Sequence, residues 1–322
     1  MSRGIGWLLG LALLGGVVAM GARLSEAGAF LRVVRDARGT ELLLAVALQA
    51  ATYLVHGQVW RGLAAAAGAR LPWGTAAQVS LAKLFVDQVL PSGGIAGTLL
   101  AARGLEALGL ARPVVMAAVV VNTASHYAAY VLSVLAALVV AAGRHQGHPL
   151  LVGLAIVFSA FGATVVVAVL VLAGPRAGRV ACHGIARTRL LARALAYLEA
   201  ADAQLARRPS ILVAATVYQL GVVLLDAATV WVLVSALGAT TDPRGVFAAF
   251  MISSLVRTMG VLPAGLGTFE ATSVVTLHLM GVEIPIALSA TLLFRGLSLW
   301  LPLPLGAWCA RRLTAVRRAS PS

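Results

Sequence analysis

"GVLPAGLGTFEA", residues 260–271, interrupts an apolar run with Pro263, Gly265 and Gly267 and places Glu270 just beyond them. Proline removes a helical hydrogen bond and glycine weakens a helix interior, so 246–262 and 266–281 read as two half-helices rather than one span. The same punctuation occurs 172 positions earlier, in "QVLPSGGIAGTL", residues 88–99, where Pro91, Gly93 and Gly94 separate the half-helices 76–90 and 95–109. Irregular backbone at membrane depth survives only where protein buries it or where it lines a polar cavity. These two breaks therefore decide how the chain is read.

The composition supports a bilayer setting. Of 322 residues, 60% are hydrophobic and 11% charged, and the mean hydropathy is +0.94. A soluble core of this size needs a larger polar shell. Runs at 5–22, 42–67, 113–142, 150–173, 211–237 and 284–310 approach or exceed the roughly 20 residues that cross a bilayer. The apolar runs are continuous rather than alternating, which excludes a barrel. Residues 23–40 read as an interfacial helix, and 174–209 as an amphipathic cytoplasmic connector. On that face Leu191, Leu195, Leu198 and Leu205 line up, and Asp202 interrupts them. The chain is thus expected to be one all-α membrane domain, 1–322, with about six full spans and two broken pairs.

Residues 89–118 align with 261–290 without a gap, sharing Val89, Leu90, Pro91, Gly93, Leu105, Gly109, Pro113 and Ala118 with their counterparts. This marks an internal repeat, one copy around 76–142 and the other around 246–310. Half-helices of about 15 residues rise only about 22 Å, which favours re-entrant pairs. Three full spans between them invert the second relative to the first. With the N-terminus inside, Arg3, Arg70, Arg112, the seven Arg of 176–208 and the four tail Arg fall on the inner side. Arg23, Arg32, Arg35, Arg38, Arg144 and Arg244 fall outside. Fourteen against six puts both termini in the cytoplasm, although the four Arg of 23–38 run against it.

The formal charge is +14, carried by 24 Arg and the single Lys83 against 11 acids. Most of these Arg lie between apolar runs, where they set topology and meet anionic lipid, and no nucleic-acid partner is expected. Cys182-His183 and His145-x-x-His148 lack the four ligands of a zinc site, so no metal or other cofactor is expected. Charges inside the apolar runs carry the functional expectation, because such groups face a cavity or a partner. Lys83 and Asp87 can pair at i,i+4, and Arg103 and Glu106 at i,i+3. Asp226, Glu270 and Arg295 have no local partner, and Arg257 precedes the second tip. His126 and His278 read as packed residues. The half-helix N-termini after Pro91 and Pro263 would offer N–H groups to an anion, with the glycines allowing close approach. Glycines there also suit plain helix packing. We expect Arg295 and the turn after Pro263 to hold a lipid phosphate, with Glu270 facing a cationic headgroup or carrying a proton.

Leu262-Pro263-Ala264-Gly265-Leu266-Gly267, then Glu270, Gly281-Val282, Phe294-Arg295 and Trp300-Leu301-Pro302, resemble the transmembrane region of the lysylphosphatidylglycerol synthase (flippase-like) family. Leu90-Pro91-Ser92-Gly93-Gly94 and Gly109 fit as well, and the resemblance extends over roughly residues 5–310. It implies an inner-membrane protein that moves a lipid between leaflets. It makes Pro263, Gly265, Gly267, Glu270 and Arg295 the motif positions. The soluble aminoacyltransferase domain of bifunctional members has no counterpart in this sequence, so synthase activity does not transfer. Many relatives have an acid soon after the first tip, where Gly97-Thr98 stands here. The alternatives are a membrane-embedded transferase on glycolipid or polyprenyl-linked substrates, with Asp87, Asp226 or Glu270 as base, and an accessory partner of a separate lipid-modifying enzyme.

Overall fold

Ala, Val and Leu dominate the segments between the breaks, and in a setting without water backbone groups satisfy one another along helix axes. The computed structural model describes residues 37–90, 95–143, 149–173, 199–259 and 263–319. The helices are α1 (Gly39–Ala66), α2 (Trp73–Val89), α3 (Ile95–Ala107), α4 (Arg112–Gly143) and α5 (Pro149–Leu172). They continue with α6 (Ala203–Ala206), α7 (Pro209–Ala236), α8 (Pro243–Met259), α9 (Thr268–Leu279), α10 (Ile284–Arg295) and α11 (Pro302–Ala319). A 3₁₀ turn, Pro263–Gly265, precedes α9, and a π-helical turn, Gly296–Trp300, joins α10 to α11.

Among the described residues five helical stretches are long and apolar enough to cross a membrane: Gly39–Ala66, Arg112–Val140, Ala155–Leu172, Pro209–Ala236 and Ile284–Leu313. These are five of the six full spans expected. The sixth, 5–22, lies outside the described residues, as do residues 23–36 of the interfacial helix expected at 23–40, Pro91, Gly93 and Gly94, Leu262, and residues 174–198 of the connector expected at 174–209; Gly39 and Thr40 begin α1 instead. The broken pairs are present as α2–α3 and α8–α9, and within each the two arms pack on each other. The first arms have 17 residues each, and the second arms 13 and 12. Even 17 residues rise only about 26 Å, short of the roughly 30 Å hydrocarbon core. The second arms end alike: Gly109 and Gly281 both adopt φ +88°, a left-handed conformation open to glycine and suited to closing a helix.

The buried apolar residues form two clusters. One gathers α2, α3, the start of α4 and the end of α1, around Val79, Leu105 and Met116. The other gathers α8, α9, α10 and the end of α7, around Phe250, Phe269 and Phe294. Helices α4 and α7 contribute to both, and α1 packs along α7 more extensively than any other pair. Leu43, Val139, Val157, Val213 and Leu279 remain outward-facing and exposed, which suits contact with lipid chains. Lipid is as apolar as leucine, so helix association here depends on close packing. At Gly306 of α11, a methyl group would sit 2.5 Å from the Leu81 carbonyl oxygen of α2.

The described end of the connector has a different form from an amphipathic face. Asp202 is the N-cap of α6, accepting from Gln204 and Leu205 backbone N–H groups. Arg207 donates to the carbonyls of Leu170, Val171 and Ala173 at 2.7 to 2.9 Å. It thereby satisfies acceptors that the end of α5 leaves open.

Candidate functional site

The second break is shaped by backbone geometry that few residues accept. Ala264, Gly265 and Gly267 have φ of +53°, +63° and +81°. For alanine this conformation is strained by roughly 1–2 kcal/mol, so the surroundings must hold it. Gly265 also passes so close to the Arg257 side chain that a Cβ would collide with its Cγ.

Two charged side chains do the holding. Glu270 Oε2 accepts from the Gly267 N–H at 2.6 Å, and Oε1 accepts from Arg295 Nε at 2.6 Å. Arg295 Nη2 donates to the Ala264 carbonyl at 3.1 Å. Glu270 is fully buried and Arg295 is 3% exposed. The pair thus closes the N-terminus of α9 and ties the turn to α10. The sequence left both residues without a local partner, and the fold supplies each to the other across 25 positions. The anion expected at this helix N-terminus is the protein's own carboxylate. Two guanidinium groups lie over the Phe269 ring, Arg295 at 5.4 Å and Arg257 at 5.7 Å from its centre.

The first break has a matching lock built from other residues. Asp87, on α2, accepts from Lys83 Nζ at 2.6 Å through Oδ2 and from the Gly97 N–H at 3.0 Å through Oδ1. A carboxylate therefore meets the start of α3 although Gly97-Thr98 replaces the acid there. Gly97 permits it: a Cβ would run into the Asp87 carboxylate and the Lys83 carbonyl. Arg103 is exposed and makes no ion pair with Glu106.

The first arm of one pair meets the turn of the other. Helix α2 packs against the Pro263–Gly265 turn. Gln88 Nε2 donates to the Ser298 carbonyl at 3.3 Å, and Tyr53 Oη donates to the Leu297 carbonyl at 2.7 Å. Both acceptors belong to the π-helical turn, where the Leu301 N–H reaches back to Gly296, so the widened turn is supported by α1 and α2. Nearby, Gln49 Nε2 donates to Asp226 Oδ1 at 3.2 Å, and Arg257 Nη2 to Tyr130 Oη at 3.2 Å. Lys83 and Arg257 lie within electrostatic reach of His126, and Arg257 within reach of Asp226.

The result is a polar centre between α1, α2, α4, α7 and α8, lined by both signs of charge. It brings together Lys83, Asp87, Asp226 and Arg257 of the residues singled out from sequence. Glu270 and Arg295 form the adjoining lock with Gly265 and Gly267. Sequence reading missed Gln49, Tyr53, Gln88 and Tyr130; their signal was an uncharged polar group inside an apolar helix, at mid-span for Gln49, Tyr53 and Tyr130 and beside the break for Gln88. Arg257 is half-buried and, among the described residues, has no carboxylate within ion-pair distance. A groove of about 270 Å³ opens between the end of α1 and the start of α7, with Arg208, Gln58, Ser210 and Tyr218 among its walls.

A family model described as "Lysylphosphatidylglycerol synthase TM region" matches residues 7–306. No curated protein matches the chain. The match and the apolar helices together make this a multi-pass membrane protein with a lipid-related role.

Proposed function

Since the chain belongs to the lysylphosphatidylglycerol synthase transmembrane-region family, we propose that it moves an anionic or aminoacylated phospholipid between leaflets. The observation that carries this reading is Arg257. It is a permanent cation at membrane depth, half-buried beside a polar centre, and among the described residues it is held by a tyrosine hydroxyl and an aromatic face. A guanidinium in a low-dielectric setting is suited to a bidentate phosphate contact. Lys83 adds a second positive charge across the centre. Arg295 already has two acceptors, so in this reading the Glu270–Arg295 pair shapes the tip and Arg257 meets the headgroup.

The broken pairs α2–α3 and α8–α9 then act as re-entrant elements of an inverted repeat beside the lipid path. The turn at Pro263, Gly265 and Gly267 lets backbone approach the headgroup, and the sequence offers Pro91, Gly93 and Gly94 for the same role in the first pair. Such paired broken helices commonly flank the central site of transporters. In this reading, which the Arg distribution supports, both termini lie on the cytoplasmic side of the inner membrane, and cysteines introduced at Gly109 and Gly281 are labelled from opposite faces.

The deciding experiment reconstitutes purified protein with labelled phosphatidylglycerol. We expect transfer of label between leaflets with the lipid chemically unchanged, and a loss of at least tenfold in rate for Arg257→Gln. A changed lipid supports a transferase instead, and neither movement nor chemistry supports an accessory role.

A further inference from the structure

Three of the carboxylates within the apolar helices of the described bundle, Glu270 fully buried and Asp87 and Asp226 partly so, are treated differently. Asp87 is paired with Lys83, and Glu270 with Arg295. Asp226, well inside α7, has no cation within ion-pair distance among the described residues; it faces the neutral amide of Gln49 and the hydroxyl of Thr52. Gln49 is 3% exposed, and its Oε1 has no hydrogen-bond partner. Asp226 is partly buried, and an ionised carboxylate held in a low-dielectric setting beside a neutral group is more costly than the neutral acid. The acid form is also a donor, and the orphaned amide oxygen is an acceptor without one. Rotation of the Gln49 amide exchanges its oxygen and nitrogen, so one pair of side chains can satisfy both protonation states.

We propose that Asp226 takes up and releases a proton in each cycle, and that this proton drives the lipid movement proposed above. The step is simple in its balance. A proton from water adds to the Asp226 carboxylate, giving the acid, and leaves to water on the other side. No other bond forms or breaks.

The groups that face Asp226 make the coupling specific. Helix α1 brings Gln49 and Tyr53, the latter held by the Leu297 carbonyl, with His56 further along beside Lys83 of α2. Helix α8 brings Arg257, within electrostatic reach but not in contact. Helix α4 brings His126 and Tyr130, which sit by Lys83 and Arg257. Helix α10 brings only Arg295, already paired, and α6 brings no charge. Arg257 is therefore the cation that supports a charged Asp226. A phosphate that binds Arg257 takes over that support and adds negative charge, so Asp226 gains a proton as the headgroup arrives. One anionic headgroup and one proton move together without net charge.

The inference rests on the translocation reading, and the test separates the two. Full-length protein is placed in phosphatidylcholine vesicles containing fluorescent phosphatidylglycerol, and a pH gradient is imposed. The equilibrium leaflet ratio of the labelled lipid is expected to shift by up to about tenfold per pH unit for one proton per lipid. Asp226→Asn keeps the amide contact and loses the shift, whereas Asp226→Glu keeps it. Independently of transport, infrared spectra are expected to show a carboxylic-acid carbonyl band that titrates with pH and is absent from Asp226→Asn. If that variant does not fold, the wild-type leaflet ratio decides alone. Lipid movement indifferent to the pH gradient, or following a sodium gradient, overturns the proton coupling and leaves translocation standing. A titrating band in a protein that moves no lipid overturns the coupling through failure of the translocation reading, while the proton site stands.

Discussion

In the first broken pair the carboxylate that meets the second arm is Asp87, on the arm before the break; in the second it is Glu270, on the arm after it. Asp87 draws its cation from its own helix, Lys83, four residues away, and the two side chains are 23% and 18% exposed. Glu270 draws Arg295 from α10, and those side chains are 4% and 1% exposed. Both breaks thus place an anion at a helix start, where free N–H groups and the helix dipole favour it. What differs is reach. The first lock is confined to its own pair, whereas the second fastens a turn with three left-handed residues to another helix.

Removing half of the second lock is expected to have the largest effect. Glu270→Ala or Arg295→Ala strands a buried charge, for a loss of roughly 3–5 kcal/mol, readable as a fall in thermal unfolding temperature in detergent. The double change Glu270→Leu with Arg295→Leu is expected to recover part of that. It stays below wild type because the Gly267 N–H and the Ala264 carbonyl lose their partners, at about 1–3 kcal/mol each. Equal stability of the double variant and wild type would show that mutual neutralisation was the whole role of the pair.

Gly97→Ala ranks next. Its Cβ meets the Asp87 carboxylate and the Lys83 backbone carbonyl, and overpacking of this kind costs about 1–3 kcal/mol. The same unfolding measurement checks it, and an unchanged midpoint would mean that the first lock yields where the second does not. Lys83→Met is expected to be milder, about 1 kcal/mol, because Asp87 keeps the Gly97 N–H and some contact with solvent. The smallest effect sharpens the comparison itself. Thr98 aligns with Glu270, so Thr98→Glu added to Asp87→Ala moves the first carboxylate to the position used in the second pair. We expect it to restore part of the stability that Asp87→Ala loses. No restoration would show that the two breaks tolerate only their own arrangement.

Much of the architecture was legible because membrane spans are written in long apolar runs and breaks in Pro and Gly. Five full spans and both broken pairs lie where hydropathy and Pro91 and Pro263 place them. The Glu270–Arg295 contact was foreseeable from charge alone, since two buried opposite charges without local partners seek each other. Other parts were not legible. Asp87 reaching Gly97 crosses the break, and helical spacing says nothing about contacts between arms. Asp202 looked like a fault in an apolar face because a periodicity argument has no place for a cap. The π-helical turn after Arg295 had Gly296 as its only cue, and one glycine in a membrane helix has many readings. Gln49 and Tyr53 carry no charge, and their importance depends on what stands opposite them.

That π-helical turn also sets a phase. It accommodates one residue more than an α-helical turn, so everything after Trp300 is rotated by about 100° from where an unbroken helix would carry it. The angle turns Gly306 toward Leu81 and Phe85 of α2 and Cys309 and Leu313 into the first apolar cluster. The chain length between Arg295 and Gly306 therefore acts as a gear setting. Losing one residue there would leave every side chain chemically intact and point α11 at the wrong neighbour.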